Sequence, residues 1–382
     1  MDDESGIKHM KGGVDMNKMK KYFRRQNFLM GLLVFTLLFI VACNNSTGND
    51  GNGGNNGNDT GGMTSKNAIV LTISSFLPGP DPLNTQMFEP FIEEIEKVTE
   101  GRVTADLYPG SILGNPNQQY DLVVTGVADM SVGAHGYTPG EFPLTSVTEL
   151  PFLGSSAEDA TRIFLGLKEK FPKISEEHVG TKIGWLFMND PGQLLTVDKP
   201  VRKIEDLKGM RVRAPNPAAS ALLEAVGAIP VSMPIGDVYD GLQRGVIDGT
   251  LTPASTISTF QLDQVANYVT KGDFYASSMF VVINPGKWSQ ISEKDQQAIE
   301  ELMGERLSYV AAGIYDYDAD KSWGVAESEG LEVYELSESD RAEWSEALKP
   351  VVENWIKKME QSGVPGQEIY NAAIELRKQR QE

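Results

Sequence analysis

The chain has 382 residues, a formal net charge of −19 and a single cysteine, Cys43. The acidic balance excludes nucleic acid and anionic lipid surfaces as natural partners, and a single thiol excludes an internal disulfide framework. With the N-terminal features set aside, about 320 residues remain, more than one hydrophobic core usually holds, so two lobes are expected.

Residues 1–42 read as an export signal. Lys18, Lys20, Lys21, Arg24 and Arg25 form a basic stretch, and an apolar run from Phe28 to Ala42 follows. The run is short for a membrane span, which needs about 20 residues, and suits a signal core. The residues before Lys18 add nothing to such a signal, and Met16 or Met19 would serve equally as a start. The run ends at Ile40-Val41-Ala42-Cys43, which resembles a bacterial lipobox. In such a signal the cysteine becomes the first mature residue and carries a lipid. A lone cysteine is more often a buried apolar residue, but this one stands between a signal core and a polar tether. Cys43 is therefore read as the lipidation site. Residues 43–66 form the tether: from Asn44 to Gly62, 14 of 19 residues are Asn or Gly, which cannot bury apolar surface. Cleavage takes seven basic and four acidic residues with it and leaves the remainder at −22. An anionic ligand would thus need a locally placed cation.

The remainder alternates strand and helix signals. Ile69 to Phe76 is a β-rich run, broken by Pro78-Gly79-Pro80. Met87, Phe88, Phe91, Ile92, Ile95 and Val98 recur at helical spacing before Gly101. Val103, Ala105 and Leu107 alternate as a strand. Asn117 to Thr125 reads as a helix closed by Gly126, and Ala128 to Val132 as a buried strand. This order implies an α/β lobe with a largely parallel sheet. Further on, Ile183 to Phe187 and Met210 to Arg213 read as strands. Asn216-Pro217 opens a helix that ends near Gly227, with Asn as N-cap and Pro in the first turn. Pro230 to Met233 is a strand, Val238 to Arg244 a helix, and Val246-Ile247 starts the next strand. Gly126-Val127-Ala128-Asp129 recurs as Gly245-Val246-Ile247-Asp248 in the same helix–Gly–strand setting, which suggests two similarly built lobes or chance. The C-terminal third is helical. Ser292 caps a long helix running past Leu307 and Val310, and Ser337 caps another with Trp344, Leu348, Val351, Val352, Trp355 and Ile356 on an apolar stripe. Its tryptophans read as core anchors.

Catalytic groups are hard to place. His9 lies in the signal, and His135 and His178 are far apart in sequence with no metal-ligand spacing around them. No nucleophile elbow or phosphate loop occurs, so the chain reads as a non-enzyme without cofactor or metal. A binding group is easier to place. Ligands of open α/β sheets bind beyond the carboxyl ends of strands. Arg213 ends the Met210–Arg213 strand, and the Asn216-Pro217 helix start follows. A guanidinium beside free helix N–H groups suits an anion, above all a carboxylate. A surface arginine in a turn is the plain alternative.

The stretch Ile204-Glu205-Asp206-Leu207-Lys208-Gly209-Met210-Arg211-Val212-Arg213-Ala214 resembles the DLKGxKxR segment of TRAP-transporter solute-binding proteins of the DctP type. Ala225 to Val231, Met233-Pro234 and Val238 to Gly249 read like the segments that follow it in that family. Tyr108-Pro109-Gly110-Ser111-Ile112-Leu113-Gly114 resembles its FPGGxLG. Phe142-Pro143-Leu144 and Leu150-Pro151-Phe152 also fit. The resemblance runs from about Ile69 to the C-terminus. It implies a two-lobed periplasmic-binding-protein-like (type II) fold, with mixed sheets flanked by helices, crossing strands, a ligand cleft between lobes and a helical C-terminal region. The division expected is 67–189 with 277–312 for the first lobe and 190–276 with 313–382 for the second. It further implies that Arg213 pairs with a substrate carboxylate, and that two membrane subunits, small and large, take over the ligand using an ion gradient without ATP. The protein would sit outside the cytoplasmic membrane of a bacterium, held by its lipid.

One departure bears on the ligand. The family's sialate and dicarboxylate members continue DGxENP, where this chain has Asp248-Gly249-Thr250-Leu251-Thr252-Pro253. Leu251 and Thr252 thus replace Glu and Asn, and a second carboxylate or many hydroxyls are less well served. Phe76, Tyr137, Trp185, Met188 and Asn189 lie near predicted strand ends, where they would meet a ligand or fill the core. The expected ligand is a monocarboxylate with an apolar or aromatic body, contacted by Arg213, Asn189, Phe76, Tyr137, Trp185 and Thr252. A dicarboxylate or sugar acid, or service to an ATP-driven importer, are the alternatives. A surface hydrolase would need a nucleophile and base that are not found, and an adhesion lipoprotein would not need a strand-end arginine.

Overall fold

The structure, a computed structural model, describes residues 68–379. The export signal, Cys43 and the Asn/Gly tether lie outside the described residues.

Eleven strands sort into two sheets. The first holds β1 (Ile69–Ser75), β2 (Val103–Tyr108), β3 (Met130–Ala134), β4 (Lys182–Met188) and β10 (Ser278–Ile283), in the order β2-β1-β3-β10-β4. The second holds β5 (Gly192–Thr196), β6 (Arg211–Ala214), β7 (Ile229–Ser232), β8 (Gly249–Pro253), β9 (Tyr268–Lys271) and β11 (Glu332–Glu335), in the order β11-β9-β5-β8-β6-β7. Each sheet is mixed. In the first, β1 runs parallel to β2 and β3 while β10 runs antiparallel to β3 and β4. In the second, β6 runs parallel to β7 and β8 while β5 runs antiparallel to β8 and β9. The antiparallel members are the strands by which the chain passes from sheet to sheet, at 189–191 and again at 272–277.

Nine helices carry the argument: α1 (Glu89–Val98), α2 (Gln119–Val124), α3 (Ala157–Lys170), α4 (Pro217–Ala225), α5 (Val238–Gln243), α6 (Glu293–Glu300), α7 (Glu305–Ser328), α8 (Glu338–Gln361) and α9 (Gly366–Lys378). A π-turn over Asn84–Phe88 runs into α1. Pro90, the second residue of α1, has no N–H to donate, and such a gap in the ladder is where the wider turn forms. The caps read from sequence are present: Asn216 accepts from the Ala219 N–H, Ser292 from that of Asp295, and Ser337 from that of Asp340. The long helix expected from Ser292 past Leu307 is instead two. Helix α6 ends at Glu300, and Gly304 adopts φ +70 with its N–H bonded to the Gly184 carbonyl at 3.1 Å. That left-handed turn, open to glycine at no steric cost, ties the chain to β4 before α7 restarts it. Helix α8 packs on α4, whereas α9 packs on α3, so the C-terminal helices reach both lobes. Trp344 is core, 4.6 Å from Phe274, and Trp355 donates its Nε1–H to Ser146.

The repeated tetrapeptide does the same work twice. Gly126 and Gly245 each end a helix at positive φ, +75 and +64. The Asp129 N–H then donates to the Thr72 carbonyl while its carboxylate takes the Thr72 N–H, stapling β1 to the start of β3. The Asp248 N–H donates to the Arg211 carbonyl and its carboxylate takes the Arg211 N–H, stapling β6 to β8. A cation sits on each carboxylate, Lys287 on Asp129 and Arg211 on Asp248.

Candidate functional site

Where the chain crosses between the sheets, a cavity of about 50 Å³ opens. Its wall includes Phe76 and Leu77 after β1, Tyr137 after β3, Asn189 and Ser277 on the crossing segments, and Arg213 and Pro215 at the end of β6. Thr252 in β8 and Tyr315 and Asp318 on α7 complete it. A water needs about 10–15 Å³ on this kind of scale, so the cavity as it stands holds a few waters.

Arg213 is 1 % exposed, among the largest fully buried side chains. Its Nε donates to the Met233 carbonyl at 2.9 Å, Nη1 to the Leu251 carbonyl at 3.0 Å and Nη2 to the Tyr137 hydroxyl at 3.3 Å. One N–H on each terminal nitrogen is left over, and no carboxylate of the described residues lies within ion-pair reach. A buried charge without a counter-ion is expensive, which makes this guanidinium the candidate partner for an anion. Leu251 therefore serves through its carbonyl, and its side chain is in the core.

Two hydroxyls flank the guanidinium. The Tyr137 oxygen accepts from Arg213 and from the Ile235 N–H at 3.3 Å, which leaves its own proton to donate. The Tyr275 hydroxyl is buried and has no partner. Burial pushes Tyr275 far up, the Arg213 charge opposing this, so it stays a neutral donor. Asn189 accepts the Ser277 N–H through Oδ1 at 2.8 Å, and its amide N–H groups have no acceptor among the described residues. Thr252 and Thr256 share a hydroxyl bond of 2.7 Å. Phe76 meets Tyr137 edge-on at 5.9 Å.

Five of the six expected contacts, Arg213, Asn189, Phe76, Tyr137 and Thr252, therefore share this cavity. Trp185 does not. Its ring lies 5.2 Å from Phe91 and 5.9 Å from Phe88, under the first sheet. The strand runs on to Met188, which puts Trp185 in mid-strand on the face that the first helix covers. Met188 is likewise core.

The chain matches Bacterial extracellular solute-binding protein, family 7 (DctP), over residues 73–358. It belongs to that family. A solved TRAP solute-binding protein from an unidentified marine microbe, specific for aromatic acid ligands and in complex with metahydroxyphenylacetate, is 29 % identical with a TM-score of 0.77, over 81 % of this chain and 99 % of that one. A TRAP periplasmic solute-binding protein from Bordetella bronchiseptica with bound (R)- and (S)-mandelate is 30 % identical with a TM-score of 0.76, over 81 % and 99 %. The outer membrane transporter protein TsaT of Comamonas testosteroni is 29 % identical over 78 % of this chain and 88 % of its own. The protein is a TRAP-type solute-binding protein with the two-lobed fold of that group. No helix of the described residues is long and apolar enough to cross a membrane.

Several groups of this family 7 member escaped sequence reasoning. Tyr275 stands in an apolar crossing segment without periodicity, and Asp81 and Asp318 merge into a general acidic background. His135 and His178, distant in sequence, meet in an aromatic nest with Nε2 atoms 3.0 Å apart. Burial holds both below their usual range, His178 at about 4. One ring must donate and the other accept, so the pair is neutral. Glu149, buried beneath the crossing, accepts from the Ser278 N–H and hydroxyl. Asp190 likewise accepts from Ser255. Burial pushes each carboxyl up to about 7 against those bonds.

Proposed function

We propose that this protein binds a monocarboxylate with an aromatic body and delivers it to the membrane subunits of a TRAP transporter. The observation that carries the reading is the buried Arg213 guanidinium, which has two unspent N–H groups and no counter-ion, beside the Tyr137 and Tyr275 hydroxyls. A carboxylate fits that fork two-pronged. Asn189 and Thr252 add polar contacts, and Phe76, Phe260 and Tyr315 line the space beyond for an apolar ring. Metahydroxyphenylacetate and mandelate, the ligands of the two solved relatives, each join one carboxylate to a benzene ring. Among the described residues Arg213 is the single cation on the wall of the cavity, and two aspartates share that wall. A dicarboxylate therefore finds one partner and one repulsive surface.

The protein acts by binding and release, without turnover. The lobes, divided at 189/190, 276/277 and 312/313, part to admit the ligand and close on it. Lipid on Cys43 and the Asn/Gly tether keep the protein at the outer face of the membrane while leaving it mobile. Thermal-shift screening of the purified protein against aromatic, aliphatic, dicarboxylic and sugar acids tests the ligand class. Stabilisation by aromatic monocarboxylates is expected. Stabilisation by dicarboxylates or sugar acids alone overturns the reading.

A further inference from the structure

The cavity has a second charged wall. Asp81 follows β1, Asp318 lies on α7, and both line the space. Both are more than nine-tenths buried, at 6 % and 7 % exposure. Asp81 Oδ1 accepts the Leu83 N–H at 2.9 Å and so caps the turn that leads into α1. That cap accounts for one oxygen of one residue. No hydrogen bond reaches the Asp318 carboxylate from the described residues, and the charge that acts on it is that of Lys321. Burial pushes Asp81 up to about 7 against the Leu83 N–H, and the Asp318 charge adds to the rise. Burial raises Asp318 as well. Arg213 is within ion-pair reach of neither. Neither Asp81 Oδ2 nor the Asp318 oxygens are sealed from the cavity space, and helix capping alone gives no reason to set two carboxylates on one wall. The unpartnered Tyr275 hydroxyl on the same cavity shows independently that its wall awaits polar groups.

We propose that Asp81 and Asp318 form a hydroxyl-recognition pole, accepting the O–H of a hydroxyl carried on the body of the bound acid, away from its carboxylate. This rests on the reading of Arg213 as the carboxylate anchor. The ligand class narrows to hydroxylated aromatic monocarboxylates.

Calorimetry on the purified protein tests this with phenylacetate, 3- and 4-hydroxyphenylacetate and 3-methoxyphenylacetate. At least one hydroxy acid should bind about tenfold or more tighter than phenylacetate, as a hydrogen bond to a charged acceptor warrants, and the methoxy acid should show no such gain. Asp318→Ala should bring that preference within about threefold. Asp81→Ser, which keeps a capping oxygen but withdraws from the cavity, should do the same. If phenylacetate binds and hydroxylation adds nothing, or the preference survives both substitutions, the pole is wrong and the Arg213 reading stands. If none of the acids binds, the Arg213 reading falls and this one with it. Tighter binding of 3-(aminomethyl)benzoate than of 3-(hydroxymethyl)benzoate overturns the neutral hydroxyl.

Discussion

Arg213→Ala is the sharpest perturbation of the site. The guanidinium is enclosed, so a bound carboxylate would be desolvated with it, and truncation would leave that carboxylate facing two hydroxyls. Removing one partner of such a pair costs on the order of 2–5 kcal/mol, or roughly 30- to 4000-fold in affinity. Arg213→Lys keeps the charge but loses the two-pronged geometry, and should fall between the parent and alanine. The unliganded fold gains and loses together. The Met233 and Leu251 carbonyls lose a donor, at about 1–3 kcal/mol for each one left unsatisfied, while a desolvated cation without a counter-ion disappears. Folding should therefore survive. Arg211→Ala is the control, on the same strand. Its side chain is 44 % exposed and pairs with Asp248 at the surface, an arrangement worth about 1 kcal/mol or less. Titration calorimetry with an aromatic acid, beside thermal melts, reads all three variants. An Arg213→Ala protein that is folded and binds within about threefold of the parent refutes the assignment.

Other expectations follow from single contacts. A Cβ on Gly136 would stand 2.4 Å from the Asn216 Cβ, across the approach between the turn after β3 and the cap of α4. Gly136→Ala should hold the lobes apart, cutting affinity about tenfold or more with the unliganded melting point unchanged; scattering that still shows full compaction at saturation would contradict this. Glu149 has its folded value raised from 4.5 to about 7, so it destabilises the fold increasingly as pH rises through that window. At ~1.4 kcal/mol per unit the loss approaches 3 kcal/mol, and Glu149→Gln should flatten the decline between about pH 4.5 and 7 in denaturant melts; an unchanged slope argues against it. Cys43→Ser should release the protein from the membrane fraction or leave it unprocessed, and a variant that is lipidated as before shows that Cys43 is not the anchor.

Legibility in the sequence followed the range of the forces involved. Local signals held: the Asn216 cap and the Pro217 helix start sit where spacing put them, and the strand that carries Arg213 runs one residue later than expected, from Arg211 to Ala214, since caps and turns are decided within a few residues. The echoed Gly-Val-Ala-Asp and Gly-Val-Ile-Asp proved to be matching strand staples. What failed was non-local. Trp185 could be placed near a strand end but not on a sheet face, because one residue of strand length moves the boundary without changing the pattern. The break at Gly304 depends on a bond to Gly184. The crossing strands β5 and β9 went unread, as did Tyr275, because their pairing partners lie far along the chain. The two histidines seemed isolated for the same reason.

The crossing segments are laced to each other. Asn189 and Ser277 exchange bonds through the Asn189 N–H and side chain, Gly192 pairs with Phe274 and Tyr275, and Gln193 reaches over to the Gly272 and Asp273 N–H groups. Two independent straps could twist as well as bend, but a laced ribbon resists twist and yields chiefly along its thin direction. If the lobes close on a ligand as proposed, such a ribbon would give them one path of travel and its closed end one relative orientation. A membrane partner that contacts both lobes could tell a loaded protein from an empty one by shape alone, without touching the solute between them.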